Sequence, residues 1–116
     1  MKYLLLLHVE EAGLGRLAAD EQAARLAECR AFTEALSASG ALVGSNRLAS
    51  SQGAKLVRTK GGRPVVTDGP FAETKEQVAG YYLIEAANEA AAVEWAAKCP
   101  ACGHGAVEVR ALYGEA

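Results

Sequence analysis

No part of the chain is apolar for long. The longest unbroken run, Tyr3 to Leu7, is far below the ~18 residues a membrane span needs. Cysteine is scarce: three residues, an odd number, argue against a secreted disulfide scaffold. Neither sign of charge dominates. Against 14 Asp+Glu stand 12 Lys+Arg, a net charge of -2, so no basic excess points to nucleic acid and no acidic run to a solvating tail. Internal repeats and low-complexity segments are missing. Met1-Lys2-Tyr3 and the leucines after it mimic the start of a signal peptide. The run stops at His8 and Glu10-Glu11, too short for an h-region, and no small-residue cleavage site follows. These absences predict a cytoplasmic protein with no direct nucleic-acid or membrane partner.

What is present is ordinary globular composition, 51% hydrophobic and 22% charged, in 116 residues. That is room for one domain, residues 1–116, with a thin core.

Periodicity supplies the elements. Lys2 to Val9 predicts a strand that is largely apolar on both faces, with Tyr3, Leu5, Leu7 and Val9 on one side and Leu4, Leu6 and His8 on the other. Glu10 to Gly15 reads as a loop. Asp20 to Ser39 reads as a helix with Asp20 as N-cap, an apolar stripe through Ala23, Leu26, Cys29, Thr33 and Leu36, and Gly40 as its stop. Strands follow at Ala41–Leu48 and Ala54–Thr59. A Lys60-Gly61-Gly62-Arg63 hairpin turn leads to a short strand, Pro64–Thr67. After a break at Asp68-Gly69-Pro70-Phe71 and a polar stretch to Gln77, Val78–Ala86 is the next strand. Asn88–Cys99 is a helix capped by Asn88 and ended by Pro100, and Ala106–Leu112 is the last strand.

The order β-α-β, hairpin, β-α-β predicts an α+β, ferredoxin-like split β-α-β sheet with an inserted hairpin and helices on one face. Helices on one face leave the other face of a two-sided first strand bare. A second copy of the chain is the simplest cover.

Val66-Thr67-Asp68-Gly69-Pro70-Phe71-Ala72-Glu73-Thr74-Lys75-Glu76 resembles the signature of the DGPF group of YCII-related proteins. The opening Met1 to Leu6, Gly80-Tyr81-Tyr82-Leu83-Ile84, Ala96-Ala97 with Pro100, and Gly105 to Arg110 agree with it. The resemblance spans nearly the whole chain and implies a dimeric α/β barrel, two ferredoxin-like sheets packed face to face. Some members of the group resemble partners of extracytoplasmic-function sigma factors. For other relatives a pocket holding a His and an Asp has been proposed as catalytic. The histidine of that proposal lies near the start of the first helix. Here the stretch reads Glu21-Gln22-Ala23-Ala24-Arg25, so it cannot be carried over. His8 is the nearby substitute suggested by the residues alone.

Asp68 and His8 are therefore the candidate catalytic pair, and Asp68, Gly69, Pro70 and Phe71 the candidate ligand pocket. An aspartate before glycine is also a common turn former. Pro70 lacks the N–H that an Asx turn would use, so Asp68 either caps through Phe71 or Ala72 or faces a cavity as a base. His8 is either a satisfied half-buried residue or a general acid/base oriented by Asp68. Arg110, Glu73, Lys75 and Glu76 are either solvated charges or the rim of an interface pocket. Tyr81 and Tyr82 point to opposite faces.

No nucleophile elbow or phosphate loop is found; Gly13-Leu14-Gly15 lacks the third glycine of a dinucleotide fingerprint. Cys99-Pro100-Ala101-Cys102 has the spacing of half a zinc knuckle, but His104 is too close to complete it. Its first thiol also sits at a helix C-terminus, which disfavours a redox thiolate. Neither metal nor cofactor is expected. The reading is a homodimer with a small-molecule or general acid/base pocket near Asp68. The alternative is a non-catalytic partner or sensor with sigma-factor association.

Overall fold

Half-buried and buried residues alternate from Lys2 to Leu6, and no residue of β1 (Lys2–Val9) is exposed. The computed structural model of the chain describes residues 1–69 and 76–114. β1 is followed by a short helix α1 (Glu11–Gly15), the long helix α2 (Ala19–Ser39) and β2 (Leu42–Arg47). A 3-10 turn at Ser51–Gly53 leads into the hairpin β3 (Lys55–Lys60) and β4 (Arg63–Asp68). β5 (Gln77–Glu85), α3 (Glu89–Lys98), a 3-10 turn at Pro100–Gly103 and β6 (Gly105–Ala111) complete the order.

Four strands form an antiparallel sheet in the order β2-β5-β1-β6. This arrangement is consistent with a ferredoxin-like α+β fold, with β3–β4 inserted as a separate two-stranded ribbon. Gly61 and Gly62 both take positive φ (58° and 78°), the backbone of the tight hairpin turn expected there. None of the hairpin's residues is buried. The chain measures 48 × 43 × 19 Å.

The core lies on one face of the sheet. Tyr3, Leu5, Tyr82 and Ile84 meet Phe32 and Leu36 of α2 and Ala92 and Ala96 of α3. Leu5, Leu36 and Ile84 are fully buried, each worth roughly 1.5–3 kcal/mol of transfer free energy. The Phe32 ring stands edge-on to Tyr82 at 5.1 Å between centroids. The ring of Trp95 is also edge-on to Phe32, at 6.2 Å. Asn88 caps α3 as predicted, its side chain accepting the Ala91 N–H at 2.9 Å. Gly40 ends α2 in the left-handed region (φ 81°).

Three local expectations need correction. Glu10–Gly15 is not simply a loop, because residues 11–15 form α1. Asp20 is not the N-cap of α2. The helix begins a residue earlier with Ala18 at the cap, and the Glu21 carboxylate accepts the Ala18 N–H at 3.3 Å. A carboxylate three residues into a helix can reach back to the cap N–H whatever the cap side chain is. The predicted apolar stripe of α2 also closes only at one end. Phe32 and Leu36 are its buried residues, while Leu26 is 39% exposed and Cys29 is half-buried.

Candidate functional site

His8 is the second-to-last residue of β1 and points to the face of the sheet without helices, along with Leu4 and Leu6. A register shift between Leu7 and His8 brings His8 opposite Val78 of β5. On the other side it pairs with Ala106 of β6. The neighbouring Gly105 is required there: a Cβ would overlap the His8 carbonyl oxygen. Close approach of β6 then brings Glu108, on the same face, within reach. Its Oε1 lies 2.9 Å from His8 Nε2. Arg110 Nε is 3.7 Å from the other oxygen of Glu108. The imidazole is 27% exposed, so one ring edge is held by a carboxylate and the rest is accessible.

Beside it is a cavity of about 470 Å³ walled by His8, Ser50, Ala54, Glu76 and Val78. Asp68 ends β4 opposite Lys55 and forms an ion pair with it in solvent, with 77% of its side chain exposed. The next residue, Gly69, donates its N–H to the Ala54 carbonyl at 2.7 Å. The space above Gly69 is tight as well. A Cβ there would lie 3.0 Å from Ala54 O and 3.1 Å from Ser51 O. The hydrogen-bond partner of His8 is thus Glu108 rather than Asp68, and that of Asp68 is Lys55. Pro70 and Phe71 of the expected pocket lie outside the described residues, as do Glu73 and Lys75.

Glu11 is a residue that sequence reasoning passed over. From α1 it accepts the Ser51 N–H at 2.9 Å, the Ser51 hydroxyl at 3.0 Å and the Ser50 hydroxyl at 3.1 Å. The Ser51 backbone donor, aided by both hydroxyls, holds this carboxyl below its ordinary value despite partial desolvation. Its own N–H donates to Gln77 Oε1 at 3.2 Å. One carboxylate therefore ties α1 to the turn that borders the His8 cavity. The only signal for it in sequence is an acidic pair directly after a strand.

The two tyrosines diverge as expected. Tyr82 is buried, with its hydroxyl 2.8 Å from Thr33 Oγ1, and burial raises the phenol above its ordinary range. Tyr81 faces the helix-free side and accepts from Asn46 Nδ2 at 2.9 Å. Cys99 is buried at the C-terminus of α3 and burial pushes its thiol up to about 11, so it is a poor thiolate near neutral pH. Cys102 is exposed on the following turn. Among the described residues no three His, Cys, Asp or Glu side chains gather as metal ligands. No described helix is long and apolar enough to cross a membrane.

A small α+β sheet of ferredoxin-like strand order with an inserted hairpin is the class that these features define. The model of the YCII-related domain matches residues 1–114, and the chain belongs to this family. It is similar to an uncharacterized protein of Rhizobium meliloti (strain 1021), 32% identical over 117 residues, which cover 97% of this chain and 94% of the relative.

Proposed function

We propose that the protein is a cytoplasmic homodimer of the DGPF group that binds a small organic molecule beside His8 and acts on it by general acid/base chemistry. The setting of His8 carries this reading: a half-buried imidazole, held at 2.9 Å by Glu108, on the wall of a cavity. A histidine fixed at one nitrogen by a carboxylate can move a proton at the other. Asp68 is the second polar group. It lies one residue from Gly69, which is bonded to the cavity residue Ala54. Its exposed pair with Lys55 is of the kind worth under about 1 kcal/mol, so a ligand can displace Lys55 at little cost. Gly69, Pro70 and Phe71 complete the proposed pocket.

Dimerisation is supported by the helix-free face, where Leu4 pairs with Leu83 and Leu6 with Tyr81. All four are half-buried in a single chain. Covering them with a second sheet would form the dimeric barrel. Light scattering at micromolar concentration is expected to give a dimer, and a monomer would remove this part of the reading.

The pocket is tested by a thermal-shift screen of wild type, His8→Gln and Asp68→Asn against small organic metabolites. A compound that raises the melting temperature of wild type and loses its effect in both folded variants is expected. If no compound distinguishes wild type from the variants, the acid/base reading fails and the non-catalytic partner role, with sigma-factor association, takes its place.

A further inference from the structure

A second and larger space lies on the opposite side of the sheet, between the sheet and the N-terminal half of α2. We infer that this cleft is a binding site for a small amphipathic carboxylate, recognised by Arg47 and Arg25 and seated on an apolar floor.

The cleft encloses about 1250 Å³. Ordinary ligand pockets are about 300–1000 Å³, so a drug-sized molecule fits with room for water. Its origin is the half-closed stripe of α2. From Ala19 to Arg30 the helix buries no residue, and the sheet's share of the lining includes the small Ser45, Ala79 and Gly80 beside the larger Leu7, Val9 and Leu42. Gly80 is enforced, because a Cβ would meet Asn46 O at 2.9 Å and Arg47 Cα at 3.4 Å. It sits between Leu7 of β1 and Arg47 of β2 in the strand register and leaves a notch between an apolar side chain and a guanidinium.

The chemistry of the lining is asymmetric. Leu7, Val9 and Leu42 supply apolar floor. Three arginines, Arg25, Arg30 and Arg47, also border the space. Among the described residues none of them has a carboxylate at ion-pair distance. Two glutamates, Glu11 and Glu34, line the cleft against these three cations, and the Glu11 carboxylate, though still charged, has its oxygens bonded to Ser50 and Ser51. Burial raises the Cys29 thiol on α2, and the Arg47 charge across the cleft opposes that rise. Arginine presents a planar fork that pairs both oxygens of a carboxylate. One such group, an apolar floor and the neutral Thr33–Tyr82 hydroxyl pair suit a ligand with a single charged end and an apolar body. The cleft shares Leu48, Ser50, Ser51 and Gln77 with the His8 cavity as a common wall, but its cations belong to it alone.

The test is a titration of the isotope-labelled full chain with 2-naphthoate, using 2-naphthylmethanol as the uncharged control and amide shifts as the readout. Saturable shifts are expected at Thr33, Arg47 and Gly80. The alcohol should bind at least about tenfold more weakly, since the charge-assisted pair is lost. Arg47→Gln and Arg25→Gln should each weaken naphthoate about tenfold. Arg16→Gln, which removes an arginine outside the cleft, should not. Arg25 and Arg47 lie outside the buried core, so the variants' spectra should show a folded chain. No saturable shifts at the cleft would overturn the inference. So would equal binding of acid and alcohol, or naphthoate binding that neither cleft variant changes.

Discussion

The two ends of α2 do different work although they belong to one continuous helix. From Phe32 onward it is core: Leu36 is fully buried and Phe32 meets two aromatic rings. From Ala19 to Arg30 it is a roof over open space. The spacing of apolar residues is the same in both halves. What differs is the opposite wall. Ile84 and Tyr82 rise to meet the far half, while Gly80 and Ser45 lie under the near half. Periodicity says which side of a helix faces inward; only the partner surface decides whether that side is filled.

The sharpest way to break this comparison is to remove one leucine from each half. Leu36→Ala is expected to destabilise the chain by about 2–5 kcal/mol in denaturant unfolding, as a filled core position does. Leu26→Ala should cost under about 1 kcal/mol, because its side chain is already 39% exposed. Equal losses would mean that the near half is packed after all.

A smaller effect is expected in acid. Folding holds the Glu11 carboxyl below its ordinary value of 4.5, through the Ser51 N–H and the Ser50 and Ser51 hydroxyls. The depressed group contributes stability above the ordinary value, and this is lost as pH falls through the folded one. Protection of the Ser51 amide relative to its intrinsic exchange rate should therefore fall below about pH 4.5, before global unfolding, and Glu11→Gln should abolish that step. Protection at Ser51 that follows the same pH course in Glu11→Gln would remove Glu11 as the tie.

The cysteines give the mildest probe. Cys102 is exposed, Cys29 half-buried at the cleft and Cys99 buried in the packed end. An aromatic disulfide reagent at neutral pH should label them in that order, with Cys99 reacting at the rate of unfolding. Early loss of the Cys99 thiol would show that the packed end opens locally.

Much of the fold was legible in the sequence. The two-sided β1, the Gly61-Gly62 turn, the Gly40 stop and the Asn88 cap rest on local chemistry that any context must respect. What escaped was non-local. Ala18 has no side chain to announce a cap, and its partner Glu21 acts from inside the helix. Glu11 gains its meaning from serines 39 and 40 residues away. His8 was legible as a strand-end histidine, but its carboxylate comes from Glu108, 100 residues on, through a register that only the sheet defines. Arg47 gave no signal at all, since an arginine at the end of a strand reads as solvated.

The central place of β1 also has a consequence for synthesis. It is the earliest strand to be made, and its two neighbours, β5 and β6, are the latest. At ~5–20 residues per second, the β1 leucines must wait several seconds before either hydrogen-bonded edge is covered. The sheet cannot nucleate from its own beginning. A strand apolar on both sides therefore stays without its sheet neighbours until β5 and β6 have been made, an interval in which an open edge can pair with another copy.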